Sequence, residues 1–235
     1  MLGTLMSAAA ALLGVGTHRF WAPCNGQLLN GSALSGYRFT DEFSPACLAR
    51  MDAGGPFAPG WRIGGDPGFD LLVAAALLTL AVGWTSFVAW QRWSGSARFV
   101  AALPGLLTGV LGIASLAGTD PAAGEGWLAW LTVGIDLSAL LAAAVVVQHS
   151  HGLARVGQLV ALWGVASFGW MRALSDYAIS LATSAATWDV PPGHGYATAA
   201  VIALCGVAAA VLGVTRRRPR QRDDRLPAMV HPRAG

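Results

Sequence analysis

Lysine is absent from this chain: all fifteen basic residues are arginine. Charge of either sign is scarce, at 11% of 235 residues, whereas a soluble domain carries about a quarter. That scarcity, beside 54% hydrophobic residues, excludes an ordinary water-soluble domain and makes lipid the solvent for most of the chain. Only three cysteines occur, which excludes a disulfide-dense secreted scaffold. Phosphate-binding loops and dinucleotide fingerprints are missing as well, so ATP-driven work by this chain alone is not expected.

What is present is apolar sequence in long runs. Six can be delimited, at residues 2–17, 69–89, 99–118, 127–147, 156–179 and 196–214. The expected fold class is all-α: a polytopic transmembrane helix bundle of six spans over residues 1–215, followed by a basic tail at 216–235. A cleaved signal peptide is the rival reading of the first run. No basic residue precedes it and no small-x-small site follows, so a retained helix is expected.

Arginine placement sets the orientation. Seven arginines follow Val214, and Arg92, Arg98 and Arg155 fall in short segments on the same side of a six-span arrangement. The opposite side holds Arg19, Arg38, Arg50 and Arg62 with most of the acids. Both termini are therefore predicted to be cytoplasmic. The all-arginine, Ala- and Gly-rich composition suggests a bacterial genome rich in GC, hence a multi-pass protein of the bacterial cytoplasmic membrane. Trp21, Trp90, Trp93, Trp127 and Trp188 fall near predicted span ends, where an amphipathic indole is most stable. The tail suffices as a positive-inside anchor, and each basic residue close to an anionic lipid surface adds about 1 kcal/mol. No nucleic-acid-binding fold accompanies its charge, and beyond Arg225 it is expected to be disordered.

Between the first two runs lies a loop of about fifty residues, 18–67, rich in Gly and Pro and predicted to be extracellular. It contains Cys24 and Cys47, and an exported segment meets an oxidising compartment, so a disulfide is expected between them. A loop stapled in this way suits a cap over the outer mouth of the bundle or a contact for an envelope protein partner, although a plain connection explains it equally well. Cys205 lies inside the sixth run and reads as a small packing residue.

Lipid gives helices no hydrophobic reason to associate, so close backbone approach must hold them together. Gly105-x-x-x-Gly109, Ala199-x-x-x-Ala203 and Gly206-x-x-x-Ala210 are the candidate contact ridges. Pro104 should kink the third run.

The most informative single residue is Asp136, alone in the uncharged run WLAWLTVGIDLSALLAAAVVV. A charged, unpaired carboxylate there costs roughly 2.5–3.5 kcal/mol, so it needs a partner, a proton or a wet cavity. Two pairings compete. Asp136 lies about 13 Å from the outer face and Arg172 about 5–10 Å at 1.5 Å per residue, within reach of a long side chain. Arg172 and Asp176 are also four apart on one helix and suit a local pair. Asp136, Arg172 and Asp176 thus form the candidate buried polar, proton or cation site, against a structural reading in which they only fix helix register.

The histidines are weaker candidates. His18 and His194 both fall near the predicted outer face and are the only pair suited to a haem or metal ion, though nothing nearby completes a site. His149 and His151 read as loop residues and His231 lies in the tail. An intramembrane protease could draw on Ser167 and His194, but the glycine that should follow the serine is Phe168. No cofactor is expected.

The run LTGVLGIASLAGTDP, ending in Thr119-Asp120-Pro121, together with six spans, resembles a group of uncharacterised six-span membrane proteins common in actinobacteria. The resemblance covers the second to fourth spans and implies topology, with nothing catalytic to transfer; the cysteine-bearing loop departs from the pattern. The expected function is non-enzymatic: a small transporter or an accessory subunit of an envelope complex, with the lipid bilayer as its chief partner. The alternative is a membrane-bound enzyme or redox subunit that uses the outer-face histidines.

Overall fold

A computed structural model describes residues 1–24, 43–52, 67–117, 126–183 and 193–215. The basic tail, Trp188, Thr119-Asp120-Pro121 and most of the 18–67 loop lie outside the described residues. Within them the chain is helical: α1 Leu2–Phe20, α2 Pro45–Asp52, α3 Pro67–Ala89, α4 Gly95–Leu116, α5 Gly126–His149, α6 Gly152–Val165, α7 Trp170–Thr183 and α8 Tyr196–Thr215. Among the described residues five of the six predicted apolar runs are continuous helix, and the fifth is helical on both sides of a break. Three helical segments are long and apolar enough to cross a membrane: Gly68–Ala89, Gly95–Leu116 and Trp130–His149. Gly152–Phe168 and Tyr196–Leu212 are shorter apolar helices.

The long helices form a ring. Successive contacts run α1–α3–α4–α5–α6–α8, and α8 packs back on α1 to close it. Small residues allow this closure. A Cβ on Gly3 would lie 2.5 Å from the Gly206 carbonyl oxygen and 2.7 Å from the Ala210 amide nitrogen, so the Gly206-x-x-x-Ala210 ridge receives α1 at backbone distance. The Gly105-x-x-x-Gly109 ridge does the same for α4 on α3, against Trp84, Thr85 and Ala81. Gly3→Ala should therefore destabilise the bundle by about 1 kcal/mol, near the lower end for overpacking, because the first turn of a helix can shift. The check is the unfolding midpoint in detergent.

α4 runs through Pro104 as one helix. Proline removes a backbone donor from the ladder, and nearby hydrogen bonds reinforce the segment. The buried Trp84 indole donates to the Ala101 carbonyl at 2.7 Å, and Thr108 Oγ1 donates to the Pro104 carbonyl at 2.7 Å.

At one end of the bundle Cys24 and Cys47 are disulfide-bonded, with Cα atoms 4.8 Å apart. The bond ties α2 to the short turn that follows α1, and Arg50 of α2 lies 4.9 Å over the Phe20 ring. Phe20 in turn stacks on Trp21 and Phe69, so α2 sits on an aromatic cluster joining α1 to α3.

One element departs from expectation. The fifth apolar run reads as a continuous span in the sequence, yet the chain breaks into α6, a single 3-10 turn at Ala166–Phe168, an extended Gly169, and α7. α6 contacts α1, α3, α4, α5 and α8, so the break lies where the ring's elements converge.

Candidate functional site

The break is built from its glycines outward. Gly164 lets α6 approach α8 and α1 so closely that a Cβ there would overlap Met6 and come within 2.9 Å of Cys205 Cβ. Five residues on, Gly169 has φ −70° and ψ 161°, an extended backbone that stops the 3-10 turn. Its carbonyl accepts from the Ala173 amide at 3.0 Å, which makes it the N-cap of α7. An N-cap residue normally supplies a side-chain oxygen to the exposed amides of the first turn. Glycine has none to offer.

Asp136 supplies it from α5. Its Oδ2 accepts from the Met171 amide at 2.9 Å, with the Trp170 amide also directed at the carboxylate. A Cβ on Gly169 would occupy the same space as the Asp136 carboxyl group, so the missing side chain at 169 is what admits the carboxylate. The positive end of the α7 dipole adds to the attraction for a negative group.

This junction opens on a pocket of about 200 Å³ lined by Asp136, Trp163, Ala166, Ser167, Met171, Arg172 and Ser175. Asp136 and Arg172 therefore share a cavity, as their depths in the sequence anticipate. They do not form an ion pair, and neither do Arg172 and Asp176. Arg172 instead donates through Nη2 to the Ala197 carbonyl at 3.2 Å, in the first turn of α8. Its buried Nε–H has no acceptor among the described residues. Such an unsatisfied donor costs about 1–3 kcal/mol, more on a charged group. The hydroxyls of Ser167 and Ser175 donate back to the carbonyls of Trp163 and Met171, leaving their lone pairs to the pocket.

Asp176 has a different task. Fully buried, its Oδ2 accepts from the Thr198 hydroxyl at 2.6 Å and from the amides of Gly195 and Thr198 at 3.1 and 3.3 Å. It therefore caps α8 as Asp136 caps α7. One aspartate of α5 thus closes the N-terminus of α7, and one of α7 closes that of α8. A local pair with Arg172 is one of the two pairings the sequence allows; in the structure Asp176 is turned toward α8, where backbone amides and the Thr198 hydroxyl are its partners.

His194 packs beside it, with Nδ1 4.0 Å from Asp176 Oδ1 and its ring edge-on to Tyr177. Its carbonyl accepts from the buried Trp21 indole at 2.9 Å, which ties the turn before α8 to the disulfide region. His18 is exposed and lies 3.2 Å, Nδ1 to Oη, from Tyr196. The two weak metal candidates thus sit at one end of the bundle in separate contacts. Among the described residues no group of three His, Cys, Asp or Glu side chains is placed to hold a metal ion. Ser167, the rival nucleophile, faces the Asp136 pocket, while His194 lies against Asp176.

Burial pushes the His194 imidazole below its usual value, with Asp176 pulling the other way. A histidine depressed in the folded state takes up its proton more readily unfolded. Its contribution is therefore complete above about pH 6.5 and is lost as pH falls below it toward the folded value. The unfolding midpoint should drop between pH 8 and pH 5, and His194→Gln should flatten that slope.

No family model matches the chain, and no curated protein or solved structure matches it.

Proposed function

We propose that this chain is a six-span protein of the bacterial cytoplasmic membrane that carries a small solute with a proton taken up and released by Asp136. The observation that carries the reading is the junction itself: a carboxylate midway along an apolar helix, held by the first-turn amides of a broken helix and open to a pocket. Interrupted helices surround substrate sites in many transporters, because the broken backbone gives ligand-facing donors that a continuous helix lacks. An intramembrane carboxylate is the usual device for moving a proton with a solute.

Surface chemistry supports the membrane assignment. Phe99, Leu106, Val110 and Ile113 on α4 and Leu137, Leu140 and Leu141 on α5 are exposed large apolar side chains, a continuous face that lipid would cover. The disulfide-linked α2 is compatible with the predicted outer side, and this reading keeps both termini in the cytoplasm.

The test uses purified full-length protein in proteoliposomes loaded with a pH-sensitive dye and challenged with a panel of small solutes. Wild type should change the internal pH with at least one solute. Asp136→Asn, checked for normal folding by its unfolding midpoint, should abolish that change. An Asp136→Asn protein that moves protons as wild type does would sink the proposal.

A further inference from the structure

We infer that the pocket between α5, α6 and α7 binds a small organic monoanion, with a carboxylate or sulfonate head, and admits it together with one proton. This rests on the proton-carrying reading of Asp136 and adds the class of solute. The pocket is lined by one acid and one base among the described residues, Asp136 and Arg172. Asp176, the carboxylate of α7, is turned into the first turn of α8 and does not contribute. α6 brings only Trp163 to the pocket, the 3-10 turn brings Ala166 and Ser167, and α7 adds Met171 and Ser175.

Three observations select an anion over a cation. Arg172 lines the pocket with a guanidinium whose one hydrogen bond among the described residues goes from Nη2 to the Ala197 carbonyl, so further N–H donors remain for an anionic head group. Asp136 Oδ2 is already taken by the Met171 amide, so the carboxylate is partly spent as a cation ligand. A cation would also have to share about 200 Å³ with a guanidinium. Trp163, Met171 and Ala166 make the remaining wall apolar, which suits a short hydrocarbon body behind the charged head.

Charge balance then requires the proton. With Asp136 ionised and Arg172 protonated the pocket is neutral, and an anion alone would leave one negative charge buried. Protonating Asp136 restores neutrality, because the guanidinium then pairs with the ligand. A protonated carboxyl also loosens its hold on the α7 amides, which become donors for the same head group. One proton and one anion enter together, no net charge crosses, and both leave when Asp136 gives its proton to the far side.

The probes are radiolabelled L-lactate and methanesulfonate, the latter a strong acid's anion with little passive leak. In proteoliposomes an inward proton gradient should drive accumulation of either probe at least tenfold over empty vesicles, insensitive to membrane potential. Arg172→Ala should lose uptake and binding. Asp136→Asn, neutral at every pH, should still bind the probe at pH 8, where wild type binds at least tenfold more weakly than at pH 5.5, while transporting no protons. Binding is read as the part of the tryptophan fluorescence change that Trp163→Phe removes. Proton movement driven by methylammonium but by neither anion would overturn the anion assignment and leave the Asp136 proton site standing. Wild-type proton movement that survives Asp136→Asn would overturn both, and so would its absence with every solute tried. Anion binding unaffected by Arg172→Ala would overturn the site.

Discussion

Gly169→Ala is expected to destabilise the protein by about 3 kcal/mol, far more than one methyl group on an extended backbone should. The backbone at 169 suits any residue, so the penalty comes from space. The new Cβ overlaps the Asp136 carboxyl, which must swing away and abandon the Met171 amide. Overpacking contributes about 1–3 kcal/mol, and loss of a charge-assisted hydrogen bond about 1.5–3 kcal/mol. The decisive measurement is a double-mutant cycle. In an Asp136→Ala background the clash is gone, and Gly169→Ala should cost less than about 1 kcal/mol, giving a coupling of roughly 2 kcal/mol. Equal penalties in both backgrounds would mean that glycine is needed for some other reason.

Asp176→Ala should be equally severe, at about 3 kcal/mol or more. One buried oxygen serves two backbone amides and a hydroxyl, and its removal strands the amides of Gly195 and Thr198 away from water. Asp176→Asn, which keeps an oxygen in place, should cost about 1 kcal/mol. Hydrogen exchange at the Gly195 and Thr198 amides should accelerate strongly in the alanine variant and little in the asparagine one. Because His194 borders Asp176 and its carbonyl holds Trp21, the alanine change should also loosen the turn against the end of α1.

The helices were legible because apolar length alone reports them. Among the described residues each of the six runs is helical apart from the break in the fifth, and Cys24 and Cys47 stand out as a pair in one predicted external loop. The three candidate membrane-spanning helices are those that hold length and hydropathy together. The break at residues 166–169 was invisible for the same reason, since Val165, Phe168 and Trp170 keep the hydropathy of a continuous span. Gly164 and Gly169 were the available signal. That signal could not be read locally, because a glycine that makes room for a side chain from another helix has no local signature. Asp136 was identifiable as a problem to be solved, and Arg172 as a neighbour in depth. The solution was not identifiable, because the groups that answer Asp136 and Asp176 include main-chain amides at helix starts. Pairing arguments made from side chains alone pass over them. Neither of the two competing pairings of Arg172 includes these amides: four residues' spacing allows Asp176 to meet Arg172, but the start of α8 offers it three donors at once.

The closure of α1 on α8 has a consequence for biogenesis. In the proposed six-span arrangement the first helix would leave the ribosome and enter the bilayer long before its partner exists, since everything between Phe20 and Tyr196 must be made first. Until then Gly3 and its neighbours face lipid or a chaperone, and the insertion machinery must tolerate an unfinished ring. A nascent chain stalled before Tyr196 would present an open seam to quality-control proteases, so turnover of such fragments should be fast even where every earlier helix is correctly inserted.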